Sequence, residues 1–114
     1  MARFVVGDIV VVPFPFSDLS QTRRRPALVV ANLTGDDLIL CQITTQQKPD
    51  SYIVTLDNQD LSSGQLKQNS YIRPNKLFTL DSSIILYALG HLKSEKLETV
   101  QKVLINIIKG QVNS

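Results

Sequence analysis

The 114-residue sequence has one cysteine, Cys41, and one histidine, His91. A single cysteine rules out an intrachain disulfide and leaves no basis for a thiolate metal cluster within one chain. A single histidine excludes sites built on several imidazoles, and with them a large share of hydrolase chemistries. No apolar run approaches the roughly 18 residues of a membrane span. The opening MARFVVGDIVVVPF is apolar but is broken by Gly7 and Asp8, and it lacks the layout of a secretory signal, so a cytoplasmic location is expected. Repeats, low-complexity tracts and linkers are also missing. One domain over residues 1–114, with one modest core, is the expectation. The formal charge of +2 is too small an excess to indicate a nucleic-acid partner. Its distribution says more, because Arg23, Arg24 and Arg25 stand side by side.

What is present reads mostly as strand. Asp8 to Phe14 (DIVVVPF) is rich in β-branched residues and follows Gly7 as a turn residue. Pro13 and Pro15 limit its ladder bonding, so it should stop near Phe14 or run on as an edge. Ser17 to Arg24 is polar and aperiodic, a loop. Ala27 to Ala31 reads as a short buried strand, Thr34 to Asp37 (TGDD) as a hairpin turn, and Leu38 to Thr45 as the returning strand. In that strand Ile39, Cys41, Ile43 and Thr45 share one face, while Leu38, Leu40, Gln42 and Thr44 share the other, which turns polar towards its end. Tyr52 to Leu56 is a further strand, and the stretch around Gly64 is irregular. Asn69 to Ile72 and Lys76 to Leu80 read as short strands bent at Pro74, and Ile84 to Leu89 as a strand or a helical turn, with strand favoured because Gly90 closes it. The end differs: Leu97, Val100, Leu104, Ile107 and Ile108 recur at helical spacing, with Ser94 placed as N-cap and Lys109 and Gly110 at the finish. Six or so strands and a terminal helix predict a mainly β fold, a small antiparallel barrel with a C-terminal α-helix.

Few residues can carry chemistry. Arginine keeps its charge and presents a planar fork of donors that matches phosphate oxygens. Two readings of the arginine run stand side by side: an anion-binding group, or a solvated loop end whose alkyl stems cover apolar surface. Arg25 differs from its neighbours because Pro26 biases it to an extended conformation at the start of a strand, where a side chain is held more firmly than on a loop. The Thr44-Thr45-Gln46 run ends a strand and forms the second candidate, against the plain reading that threonine suits strands and glutamine suits exposed ends. Asp36 and Asp37 read as turn residues, and no pair of carboxylates has the spacing of a metal or acid–base site. His91 reads as structural and Cys41 as inert core. Phe14 and Phe16 flank Pro15 beside the arginines and have two readings, core packing, which is favoured, or a ring for base stacking.

The stretches GDIVVVPFPFSDLSQTRRRPALVV, LCQITTQ and YIRPNKLFTLDSSIILYALGHLKSEKLETVQKVLINII, taken in order, resemble the MazF/PemK family of toxins from type II toxin–antitoxin modules. The resemblance runs from about Gly7 to Gly110. Its marks are Gly-Asp opening a first strand, Arg-Pro opening a second and Ile-Thr-x-Gln ending a third. It implies an SH3-like barrel with a terminal helix, as a homodimer. It implies an endoribonuclease (an mRNA interferase) that cuts single-stranded RNA with no metal or other cofactor, using the substrate's own 2′-hydroxyl and leaving a cyclic phosphate and a 5′-hydroxyl. The family's arginine before proline maps onto Arg25, and its threonine onto Thr44, because Ile43 precedes it. The RNA contacts expected around these two are Arg23, Arg24, Ser20, Gln21, Thr45, Gln46 and Lys48. Many members carry Ser-Glu-Gln-x-Gly-x-Arg-Pro before the second strand. Here the stretch from Ser17 to Pro26 lacks the glutamate and glycine, and Ser20 and Gln21 are expected in the corresponding space. A cognate antitoxin with an acidic, disordered segment is the partner that the resemblance implies.

Two other functions fit the same barrel. One is a non-catalytic toxin of the CcdB kind, which traps DNA gyrase through its C-terminal residues; here only Gln111 to Ser114 follow the helix, with no aromatic anchor. The other is a barrel that binds RNA through Arg23 to Arg25 and leaves it intact.

Overall fold

A computed structural model describes residues 4–14 and 23–111. Seven strands and one helix follow in order: β1 (Asp8–Phe14), β2 (Arg23–Asn32), β3 (Asp37–Thr44), β4 (Val54–Leu56), β5 (Leu61–Gly64), β6 (Ser70–Asp81), β7 (Tyr87–Leu92) and α1 (Ser94–Ile108). They form one antiparallel sheet in the order β4-β6-β3-β2-β1-β7-β5. Laid flat, six strand spacings of about 4.8 Å would hold its edges roughly 29 Å apart. Instead Val54 and Leu56 of β4 and Leu61 of β5 belong to one core cluster, so the sheet is curled into a half-barrel. The expected mainly β, SH3-like barrel with a terminal helix is what the chain forms.

Both faces of this sheet are apolar, as its near-continuous hydrophobic runs require. On the inner face Ile9, Leu28, Cys41, Ile43, Ile72 and Leu92 form the main core, which α1 closes with Val100 and Val103. On the outer face Val10, Val12, Ala27, Val29, Leu38, Leu40, Leu80 and Ile85 form a second cluster, with Phe4 and Phe78 packed against it. The alternation in β3 is therefore as expected, with Leu40 on one face and Cys41 and Ile43 on the other.

Several boundaries differ from the sequence reading, each for a non-local reason. The arginines are not in a loop: β2 starts at Arg23, and the β1 ladder pairs Val12 with Arg25, Pro13 with Arg24 and Phe14 with Arg23. Both prolines of this ladder sit where their strand has a single partner. The β1–β7 ladder stops at Val11, before Pro13, and the β2–β3 ladder stops at Ala27, after Pro26. That is the edge setting in which proline is tolerated.

The stretch read as irregular contains β5. Gly64, with a φ of +84°, and Gly90 of β7 approach so closely that a Cβ on either would run into the other strand's backbone. Gly90 thus lies inside β7 rather than closing it, because β5 can pair only where no side chain intervenes.

The two short strands about Pro74 are one strand, β6. Its register against β3 jumps from Cys41–Leu77 to Gln42–Arg73, so Pro74, Asn75 and Lys76 form a bulge with Pro74 fully buried. Helix α1 begins at Ser94 itself, with Lys93 in the cap position and no side-chain cap bond. Val103 joins the buried stripe, and Ile108 is 76% exposed. His91 of β7 meets Asp8 of β1 at 2.8 Å, and the second oxygen of that carboxylate accepts the Val5 N–H at 2.9 Å.

Candidate functional site

Where the central strands end unevenly, the curled sheet leaves a cleft of about 380 Å³. Val11, Pro26, Leu66 and Leu89 make it apolar below, and Arg24, Arg25, Thr45, Lys67, Gln68, Ser70 and Tyr87 supply polar groups. Each wall comes from a different part of the chain. Arg24, Arg25 and Pro26 come from the start of β2, which runs on past its β3 partner. Thr45 is the first residue after β3. Leu66, Lys67 and Gln68 come from the β5–β6 connection, Ser70 opens β6 and Tyr87 opens β7.

Strand alternation sorts these residues into two tiers. The β2–β3 register pairs Ala27 with Gln42 and Leu28 with Cys41. Counting the same register on by two and three residues sets Arg25 opposite Thr44 and Arg24 opposite Thr45. With period two, Arg24 and Thr45 continue the inner face of Leu28, Cys41 and Ile43, while Arg25 and Thr44 continue the outer face of Ala27, Val29 and Leu40. Arg25 still lines the cleft, at the strand end where the two faces meet.

The expected site residues are thus distributed as follows. Arg24, Arg25 and Thr45 are brought together in the cleft. Arg23 is exposed, opposite Phe14, and does not line it. Thr44 is half-buried, and its hydroxyl oxygen accepts the Gln46 N–H at 3.1 Å. A hydroxyl that accepts in this way keeps its own proton to donate elsewhere. Gln46 and Lys48 are tied to each other in the loop after β3, the Lys48 ammonium donating to Gln46 Oε1 at 3.2 Å. Ser20 and Gln21 lie outside the described residues.

Among the described residues no carboxylate pairs with Arg23, Arg24 or Arg25; the ion pairs there are Arg73–Asp50, His91–Asp8 and Lys96–Asp60. Three guanidinium groups therefore stand at one strand end with no carboxylate partner among the described residues. No cluster of three His, Cys, Asp or Glu side chains among the described residues is placed to hold a metal ion. Cys41 is fully buried, and desolvation pushes its thiol up to about 12, so it is no nucleophile.

Sequence reasoning missed the far wall. Lys67, Gln68 and Tyr87 reach the cleft only because β5 and β7 curl round to it. Tyr87, 45% exposed within an otherwise apolar run, was the one local signal.

A curled antiparallel half-barrel with a C-terminal helix and a cleft lined by Arg24 and Arg25 is the architecture of this chain. The chain belongs to the PemK-like, MazF-like toxins of type II toxin–antitoxin systems, whose family model matches residues 6–108. No curated protein sequence matches it. Solved structures share the fold. MazF (Form-I) from Deinococcus radiodurans is 23% identical with a TM-score of 0.72, over 97% of this chain and 100% of that one. An endoribonuclease in complex with its cognate antitoxin, from a mycobacterial species, is 14% identical with a TM-score of 0.71, over 100% of both chains. Mycobacterium tuberculosis toxin MazF-mt6 is 16% identical with a TM-score of 0.68, over 90% of this chain and 96% of that one.

Proposed function

We propose that this toxin is an endoribonuclease that cleaves single-stranded RNA, with Arg25 and Thr44 as its catalytic residues. The observation that carries the reading is the strand end itself: Arg24 and Arg25 of β2 and Thr45 after β3 line one cleft, no carboxylate among the described residues pairs with these arginines, and the β2–β3 register carried on sets Thr44 opposite Arg25. The family's toxins and the solved relatives named as endoribonucleases support it.

The chemistry follows from these groups. The 2′-oxygen of a ribose attacks the adjacent phosphorus and gives up its proton. The bond to the 5′-oxygen of the next nucleotide breaks, and that oxygen takes a proton. The products are a 2′,3′-cyclic phosphate and a 5′-hydroxyl. Negative charge builds on the phosphoryl oxygens during attack, and Arg25 stabilises it by charge-assisted hydrogen bonds. The Thr44 hydroxyl donates its proton to a phosphoryl oxygen while one of its lone pairs accepts the Gln46 N–H. Arg24 and Thr45, one residue along on the inner face, bind the neighbouring nucleotide, and Arg23 adds long-range attraction. The apolar floor and Tyr87 give an unstacked base a surface to rest on.

The protein acts in the cytoplasm as a homodimer, and a cognate antitoxin with an acidic segment neutralises the same arginines. Among the described residues no helix is long and apolar enough to cross a membrane. The test is incubation of purified protein with long single-stranded RNA in EDTA. Cleavage with cyclic-phosphate ends, lost in Arg25→Ala, is expected. RNA bound but left intact would instead make the chain a plain RNA-binding barrel, and gyrase inhibition without cleavage would make it a toxin of the CcdB kind.

A further inference from the structure

Among the described residues, the loop between β3 and β4 has one polar side-chain tie to the sheet. The loop leaves β3 directly after Thr44 and carries Thr45, Gln46 and Lys48. Most of its hydrogen bonds are local: Asp50 N–H to Lys48 O at 2.8 Å, Tyr52 N–H to Asp50 Oδ1 at 2.9 Å, and the Gln46 and Lys48 bonds already described. These fold the loop on itself but do not fix it in space. The tie is Asp50 Oδ2, which accepts from Arg73 Nη2 of β6 at 3.3 Å across 23 residues of chain. Asn75, on the β6 bulge, lies near enough to the Asp50 carboxylate to help keep it ionised. From the rest of the geometry we infer that Asp50, Arg73 and Asn75 form a clamp that positions the Thr44–Lys48 segment for RNA cleavage, an inference that rests on the reading above.

Three observations support the clamp. First, the clamp sits at the bulge: Arg73, paired with Gln42, is the last residue before the three skipped in the β3 register, and Asn75 is one of those three, beside the proposed active site as bulges often are. Second, a chain of hydrogen bonds leads from it to the proposed catalytic hydroxyl. Asp50 N–H bonds Lys48 O, Lys48 Nζ bonds Gln46 Oε1, and Gln46 N–H bonds Thr44 Oγ1. Third, Arg73 Nε and Asn75 Oδ1 are buried with no protein partner among the described residues. Unpaired buried polar atoms cost stability, so stability alone does not account for this arrangement. Partial burial pulls the Asp50 carboxyl up, but the Tyr52 N–H bond, the nearby Asn75 amide, and the bond and charge of Arg73 hold it below the usual carboxylate range. The clamp is thus permanently charged at working pH.

The experiment compares wild type, Arg73→Met, Arg73→Lys and the charge swap Asp50→Arg/Arg73→Asp. It reads kcat and KM on a fluorophore–quencher single-stranded RNA, and amide exchange at Gln46, Lys48 and Tyr52. Arg73→Met is expected to lower kcat about 10- to 100-fold with KM little changed, since a misplaced group loses rate rather than binding. Exchange at Gln46 should rise, and Arg73→Lys and the swap should each recover part of both. Adding Arg73→Met to Thr44→Val should cost little more than Thr44→Val alone. A wild type that cuts while Arg73→Met keeps its kcat and its loop protection overturns the clamp. If Arg73→Met does not fold, Arg73→Lys and the swap decide by the same two readouts. Wild type leaving every RNA intact sinks the cleavage reading, and unchanged exchange in the variants would then still overturn the clamp.

Discussion

The two ends of the central strands are built differently. At the end where β1 starts and β2 finishes, the backbone is laced together: Gly7 N–H to Val29 O and Leu92 N–H to Gly7 O, both 2.9 Å, Leu33 N–H to Asp37 O at 3.0 Å and Ser82 N–H to Asp36 O at 2.8 Å. The Asn32 side chain bonds Phe4 O there, and Asp8 bonds both His91 and Val5 N–H. At the other end the strands stop at different lengths, and the side chains that remain are arginine, threonine and tyrosine. One end satisfies its polar groups internally. At the other, the arginines have no carboxylate partner among the described residues. With the open end as the proposed site, stability and function are separated along the same strands, as in a rigid scaffold that holds a binding site still.

That separation can be broken experimentally. The largest effect belongs to the laced end: Leu92→Ala, at a side chain only 1% exposed, should cost about 2–5 kcal/mol in urea unfolding. Arg25→Ala at the open end should leave unfolding within about 0.5 kcal/mol of wild type while removing cleavage. A large stability loss there would mean that the two ends are not separate. Asp8→Asn should cost about 1 kcal/mol, the ceiling for a pair whose histidine is a third exposed, with cleavage per folded molecule unchanged. Arg23→Ala should leave the chemical step intact and lower the slope of log affinity against log salt by about 0.7, read by RNA binding at several salt concentrations. Smallest of all, Cys41 should resist a thiol reagent at pH 8 until the protein is unfolded, because burial keeps it protonated.

Much of this was legible in the sequence, for reasons that differ by element. β1 falls at Asp8–Phe14 as read, because an apolar β-branched run after a glycine turn is a local signal. The helix and the two faces of β3 follow from periodicity, which is also local. The start of β2 was misplaced because pairing with β1, not propensity, carries the strand back to Arg23. β5 was missed because LSSG has no pattern of its own and exists through the approach of Gly64 to Gly90. Arg25 stood out through Pro26, and Thr44 through the family motif. The tie between Asp50 and Arg73 had no such marker: 23 residues separate them, and only the pairing of β6 with β3 brings the two together.

The half-barrel also leaves two open edges, and an open edge invites another sheet to add to it. Here the edge strands are the shortest in the molecule, three residues in β4 and four in β5. Each offers an incoming strand only a couple of ladder bonds, too few to template growth. A sheet of seven strands is in this way kept from polymerising, without the need to close the barrel.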